Sequence, residues 1–368
     1  MKGLYIHIPF CQNICSYCDF PKRVSSTKIK EAYITRLIEE IDYYKNELYS
    51  IKTVYIGGGT PNSLDLSLLE LLLIKIKPYL DHSYENTIEL NPELINENLV
   101  QLLAKYKINR VSLGVQTIND TSLKLLNRHH HKEDVINSIN LLKSYNIKNI
   151  NIDLIFGIPN TNINDVKNDL DFFYSLKIPH LSYYSLILEE KTILYYKYKN
   201  NNLKLLDDDI IADMYDYICE SLHKNKYFHY EVSNFSLQGY ESIHNITYWK
   251  ELEYVGVGAG ASGFIKPYRY TNNSNISEYM KEFIESKEYI SQLIEKQEFM
   301  MLGLRMLNGI SMHEYESRYD SNPIVDFELD DLIQNGLLVI EDDRIKIPDD
   351  KIFIANIVYE RFVGNEEK

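Results

Sequence analysis

Between residues 4 and 186 the chain alternates short apolar runs with stretches of helical period, and this alternation limits the fold more than any other feature. The runs 4–10, 53–56, 87–90, 110–115, 150–155 and 180–186 are rich in β-branched and aromatic residues. The stretches 29–48, 64–76, 96–106, 132–145 and 163–176 between them carry apolar residues at helical spacing, as with Ile34, Leu37, Ile38, Ile41, Tyr44 and Leu48. Strands separated by helices predict parallel βαβ units and an α/β fold. The alternation makes six strand-helix steps, short of the eight that close a full barrel. In parallel barrels the functional side chains sit at the carboxyl ends of the strands, so what each run ends on matters most.

The first run ends on Cys11-Gln-Asn-Ile-Cys15-Ser-Tyr-Cys18, which places three of the four cysteines at C-x3-C-x2-C spacing. Three thiolates on one tight loop can hold three irons of a [4Fe-4S] cluster, which ordinarily takes four cysteines. The fourth iron is then open, and an open position separates a reactive metal site from a closed structural one. Zinc usually needs a fourth Cys or His nearby, and His7 lies inside the first run. A structural disulfide belongs to oxidising compartments. The first strand is expected from about Gly3, which leaves no room for a signal peptide, and no apolar run is long enough to span a bilayer, so a cytoplasmic protein without obligate membrane insertion is expected. The net charge of −14 argues against non-specific binding to nucleic acid or anionic lipid. Cys219, alone in a helical stretch, reads as a small buried hydrophobe.

Later strand ends carry further chemistry. Gly57-Gly58-Gly59-Thr60-Pro61 follows the second run; glycines there suit either a plain turn or close approach of backbone to a ligand, and no Gly-Lys-Ser/Thr follows to make a phosphate loop. Glu89, Gln116 and Asp153 close the next three runs, with Arg128 just beyond the fourth. A carboxylate accepts a pair of hydroxyls or an ammonium, and arginine clamps a carboxylate. His129, His130 and His131 are consecutive and read as solvated or capping side chains.

The cysteine spacing resembles the radical S-adenosylmethionine (SAM) superfamily. The resemblance narrows with the series His7-Ile8-Pro9-Phe10-Cys11, Gly57-Gly58-Gly59-Thr60-Pro61, Glu89-Leu90-Asn91-Pro92-Glu93, Ser112-Leu113-Gly114-Val115-Gln116, Asn127-Arg128 and Asp153-Leu154-Ile155-Phe156-Gly157-Ile158-Pro159. These look like the oxygen-independent coproporphyrinogen III oxidase family over nearly the whole chain. The resemblance implies an open, TIM-like partial (β/α)6 barrel. It also implies cluster ligands Cys11, Cys15 and Cys18, and SAM contacts from Tyr5, Tyr17, Gly58, Gly59, Thr60, Glu89, Gln116, Arg128 and Asp153.

Two departures turn the expectation away from decarboxylation. The oxidases carry a further cysteine two residues after the third ligand, where this chain has Cys18-Asp19-Phe20, and they have an extension ahead of the first strand. A gain points elsewhere: His244-Asn-Ile-Thr-Tyr248-Trp249 fits the H-N-x-x-Y-W pattern of a heme-chaperone branch of the family. His244 is then the candidate axial ligand, with Tyr248 and Trp249 offering aromatic faces. From residue types alone, a packed histidine beside a core tryptophan is the competing reading. The expected organisation is a barrel over 1–228, a loop-rich connection over 229–290, and a C-terminal α+β, winged-helix-like unit over 291–368, with a hairpin over 337–347 and a last helix over 350–362, whose acidic residues favour a structural or partner-binding role over DNA. The chain is expected to bind a [4Fe-4S] cluster, SAM and heme and to pass heme to an acceptor apoprotein, with an electron donor if SAM is cleaved; radical decarboxylation of coproporphyrinogen III is the alternative.

Overall fold

In the computed structural model, which describes residues 2–363, the expected runs become β1 (Lys2–Ile8), β2 (Ile51–Gly58), β3 (Glu85–Leu90), β4 (Arg110–Gln116), β5 (Asn149–Phe156) and β6 (His180–Ser185). Each pairs in parallel with the next, as the intervening helices require. On β5, Ile150, Ile152 and Leu154 are buried in the main hydrophobic core, while Asn151 and Asp153 alternate with them onto the opposite face. On β4, Val111, Leu113 and Val115 alternate in the same way with Arg110, Ser112, Gly114 and Gln116. The inner face is thus polar in successive layers, where closed barrels are usually filled by branched apolar side chains. Helix starts are set locally: Asn96 accepts from Leu99 N at 3.1 Å, and Asn162 and Asp165 form a reciprocal capping box.

The sheet continues beyond β6. After β7 (Phe228–Glu231), residues expected as a loop-rich connection contribute β8 (Asn234–Ser236), β9 (Tyr254–Val257), β10 (Ser262–Ile265), β11 (Tyr268–Asn272) and β12 (Ile284–Tyr289). The result is a twelve-stranded sheet in the order β12-β11-β10-β9-β1-β2-β3-β4-β5-β6-β8-β7. β9 joins β1 in parallel, and β10 to β12 continue antiparallel. The extension is stapled to the barrel by Glu40, buried on the helix Thr27–Tyr43, which accepts from Gly258 N, Asn272 Nδ2 and Tyr279 Oη. Position 228 therefore marks no break in the sheet. The helix Ile243–Trp249 lies at the amino-terminal end of the barrel strands, where Ile243 N and His244 N donate to Glu85 at 2.9 and 3.0 Å.

The C-terminal unit comprises the helix Gln292–Gly303, shorter helices, and a separate antiparallel sheet of β13 (Ile310–Ser311), β14 (Val339–Glu341) and β15 (Arg344–Lys346), ordered β13-β15-β14. The expected hairpin at 337–347 is present. The expected continuous helix over 350–362 is instead a 3-10 helix Asp349–Ile354, a single α-turn Asn356–Tyr359 and a second 3-10 turn Glu360–Phe362. The buried residues explain this: Ile352, Ala355 and Val358, then Tyr359 and Phe362, recur at intervals of three, the 3-10 repeat. Among the described residues no helix is long and apolar enough to cross a membrane.

Candidate cluster and cofactor site

The cysteine loop is held from two sides. Gly59 N donates to Ile8 O and Thr60 N to Phe10 O, both at 2.8 Å, tying its start to the end of β2. Ser16 N and Oγ donate to Leu126 O and Leu125 O at 3.0 and 2.7 Å, and Asn127 Nδ2 donates to Ile14 O at 2.8 Å, tying its middle to the segment after β4. Cys11, Cys15 and Cys18 are free thiols on the wall of a cavity of about 560 Å³, a size ordinary for a small-molecule site. Tyr17, Gly58, Gly59, Thr60, Glu89, Gln116, Arg128 and Asp153 line the same cavity. Burial pushes the Cys11 thiol up, and the Cys18 thiol to about 11. Thiols in such a place ionise when a metal takes the proton's role. Among the described residues no three His, Cys, Asp or Glu side chains close around a single ion. Three thiols of one short loop on the wall of one cavity fit a cluster.

The glycines serve the protein before they serve a ligand. A Cβ at Gly57 would stand 2.8 Å from the Glu89 carboxyl carbon, one at Gly59 would stand 2.8 Å from Phe10 O, and one at Gly58, whose φ is +109°, would strike the His7 ring. Gly58 N in turn donates to Glu89 Oε2 at 3.0 Å. Glu89 also accepts from Tyr55 Oη at 2.7 Å, and burial pushes its carboxyl up to about 7. Asp153 accepts from Ser112 Oγ at 2.9 Å and Asn151 Nδ2 at 2.8 Å, and burial raises it too. Arg128 donates to Asn91 Oδ1 at 3.0 Å and to Gly114 O, and lies 3.7 Å from Cys15 Sγ. Two buried polar atoms here lack partners: Gln116 Oε1 and Arg128 Nε. Native interiors seldom leave such atoms unpaired. Both belong to residues lining a cavity that Glu89 and Asp153 line too, so the set of polar groups fits a ligand carrying ammonium, carboxylate and diol groups.

Tyr5 stands apart from the other expected SAM contacts. It does not line this cavity; its hydroxyl is hydrogen-bonded to His7 Nδ1 at 2.9 Å, and His7 Nε2 is 2.9 Å from Pro21 O. Burial holds His7 neutral, so Nε2–H donates to the carbonyl and Nδ1 accepts from Tyr5. Tyr5 therefore reaches the cysteine loop through His7.

The candidate heme residues divide. Tyr248 and Trp249 line a second cavity of about 400 Å³ with Tyr5, Tyr254, Phe264 and Met301. His244 does not. It is 1% exposed, stacked on Tyr55 at 5.0 Å, and both ring nitrogens are engaged, Nδ1 with Thr53 Oγ1 at 2.8 Å and Nε2 with Tyr248 Oη at 2.7 Å. Desolvation lowers its imidazole to about 3. In this structure His244 is the packed, hydrogen-bonded histidine of the competing reading, and no nitrogen is free for iron. Of the consecutive histidines, His131 is the N-cap of the helix Lys132–Ser144, whereas His130 is buried beside Arg128.

Tyr55, Asn91 and Tyr184 also line the cluster cavity without having been singled out from the sequence. Tyr55 had a signal, standing two residues before Gly57 on the same strand face. Asn91 had one in its place directly after Glu89-Leu90; its backbone is clasped by the Asn62 amide at 3.0 and 3.1 Å.

A parallel partial barrel with three free cysteines after its first strand and facing carboxylates on later strands defines a radical SAM protein, and the Radical SAM superfamily profile matches residues 5–173. The HemN C-terminal domain profile matches residues 296–350. The chain is 40% identical to the heme chaperone HemW of Lactococcus lactis, across 98% of this chain and 97% of that protein, and 33% identical to HemW of Bacillus subtilis, across 99% and 100%. It belongs to the HemW family. Among solved structures it resembles coproporphyrinogen III oxidase (HemN) of Escherichia coli with a TM-score of 0.85 at 20% identity, covering 98% of this chain and 89% of that one; at that identity the likeness speaks for the fold alone.

Proposed function

We propose that the chain binds heme and hands it to an acceptor apoprotein, with its [4Fe-4S] cluster and SAM site supporting the transfer. The observation that carries this is the end-to-end likeness to heme chaperones, which spans the barrel, the extended sheet and the C-terminal unit together. Cys11, Cys15 and Cys18 would hold the cluster. Glu89 would receive the SAM ammonium, Arg128 its carboxylate, and Asp153 the ribose diol, with Tyr17, Gln116 and the Gly58–Thr60 turn completing the wall. When bound, the cluster supplies an electron able to cleave the SAM sulfonium, which calls for an external electron donor. Heme is cargo. The aromatic cavity beside Tyr248 and Trp249 supports a flat macrocycle better than the sealed His244 supports ligation.

The oxidase alternative has a specific observation against it: Phe20, 62% exposed, lines the mouth of the cluster cavity where the oxidases carry a cysteine. The test is a heme titration of the reconstituted protein under anaerobic conditions, followed by transfer to apomyoglobin. A saturable heme spectrum and transfer support the proposal. Absence of a heme complex, or vinyl product from coproporphyrinogen III at enzyme-like turnover, overturns it.

A further inference from the structure

Arg110 opens β4 with its side chain on the inner face, beneath Ser112 and Gly114. It is 2% exposed, and its Nε has no hydrogen-bond partner among the described residues. A buried cation is costly to keep unless compensated, so its surroundings should show what compensates it. In register, Arg110 faces Thr87 on β3 and Asn149 on β5, and one layer higher Ser112 faces Glu89 and Asn151. Ser112 Oγ donates to Asp153 Oδ2. Arg110 thus sits between the two strands that carry Glu89 and Asp153, one layer under Glu89 and two under Asp153.

Those carboxylates share one cavity and oppose each other's ionisation. Glu89 is faced by Tyr55 from β2, Asp153 from β5, Tyr5 from β1, Tyr248 from the helix Ile243–Trp249, and Arg110 from β4. Asp153 is faced by Ser112, Asn151, Ser182, Tyr184 and Glu89 as well as Arg110. Arg110 is the positive charge beneath the pair; Arg128 and Lys22 also line the cavity, and Arg110 is itself neighboured by Glu85 on β3, His180 on β6, Tyr230 on β7 and His244. Two carboxylates in one low-dielectric site tend to retain a proton between them, and a nearby cation releases it.

We infer that Arg110 is a positioning residue, the internal counter-charge that keeps Glu89 and Asp153 ionised together so that the pair can take a cationic, diol-bearing ligand. The inference rests on the assignment of SAM to these carboxylates. Arg110 touches no part of the ligand; it sets the charge of the groups that do.

The test measures SAM affinity of the cluster-loaded protein by calorimetry from about pH 6 to about pH 9, for wild type, Arg110→Met, Arg110→Lys and Glu89→Gln. If binding requires the ionised pair, affinity falls about tenfold for each pH unit below the apparent pKa of the pair. Arg110→Met should move that fall upward by about one unit, weakening SAM about tenfold near neutral pH and recovering at the alkaline end, while Arg110→Lys stays close to wild type. Arg110→Gln, polar but uncharged, repeats the measurement should the methionine variant not fold. A profile for the neutral variants identical to wild type, or a weakening equal at every pH, overturns the inference and leaves the SAM assignment standing. Wild-type affinity unaffected by Glu89→Gln removes the assignment, and the inference with it.

Discussion

His244→Ala is the obvious probe of heme binding in this family, and the structure predicts that it reports stability first. Removing the imidazole strands Thr53 Oγ1, buried, and Tyr248 Oη, part-buried, which it joins at 2.8 and 2.7 Å. Each unsatisfied buried hydroxyl costs about 1–3 kcal/mol. The vacated ring also leaves a cavity against Tyr55, stacked at 5.0 Å, which costs about 2 kcal/mol more on the scale of large-to-small core substitutions. Allowing for partial collapse, the variant should lose about 4 kcal/mol, a large share of the 5–15 kcal/mol typical of a folded domain. Urea unfolding of the cluster-free protein measures this directly, and heme titration of the same samples shows whether heme loss tracks it. Tyr248→Phe is the control: it keeps the ring, frees His244 Nε2, and should cost about 1 kcal/mol without changing the heme spectrum. The reasoning is refuted if His244→Ala loses less than about 1 kcal/mol yet abolishes the heme complex, because His244 would then act on iron and not on the fold.

Replacing any one of Cys11, Cys15 or Cys18 by Ser should abolish the cluster's visible absorption after reconstitution while far-ultraviolet circular dichroism stays unchanged; a variant that loads normally removes that cysteine from the ligand set. Gly57→Ala should weaken SAM binding at least tenfold, because its Cβ would press on the Glu89 carboxyl from 2.8 Å, and calorimetry giving wild-type affinity would count against the placement of Glu89. Asp169, buried and accepting from Ile118 N and Thr117 Oγ1, has its carboxyl raised by burial from 3.8 to about 7. Its contribution to stability is therefore complete below pH 3.8 and is lost as the pH rises through about 7. Asp169→Asn should stabilise the protein in mild alkali, with an upper bound of about 4 kcal/mol and none of the gain in acid; equal melting temperatures at both ends of the pH range would contradict this.

Most of the cluster cavity was legible because its residues close strands whose period is plain, and a strand end in a parallel barrel is a predictable place. Residues 229–290 were opaque for a physical reason. β8 has three residues and β9 four, too short for alternation to register, and part of what holds the extension is Glu40, a residue some two hundred positions away. The last segment misled because apolar residues three apart satisfy a helical template loosely and a 3-10 helix closely.

His244 and Tyr5 stand apart from the other expected contacts, and for a shared reason. Residue type and motif identify side chains able to meet a ligand, but not which of them the protein has already engaged. His244 Nε2 is taken by Tyr248, and the Tyr5 hydroxyl by His7, which in turn holds Pro21 O on the return from Cys18. Tyr5 borders the aromatic cavity with Tyr248, and its ring lies 6.1 Å from Tyr55, the tyrosine that bonds Glu89. The aromatic side chains between the two cavities are thus linked partly by ring contacts, Tyr5 to Tyr55 and Tyr55 to His244, and partly by hydrogen bonds, Tyr5 to His7, Tyr55 to Glu89 and His244 to Tyr248.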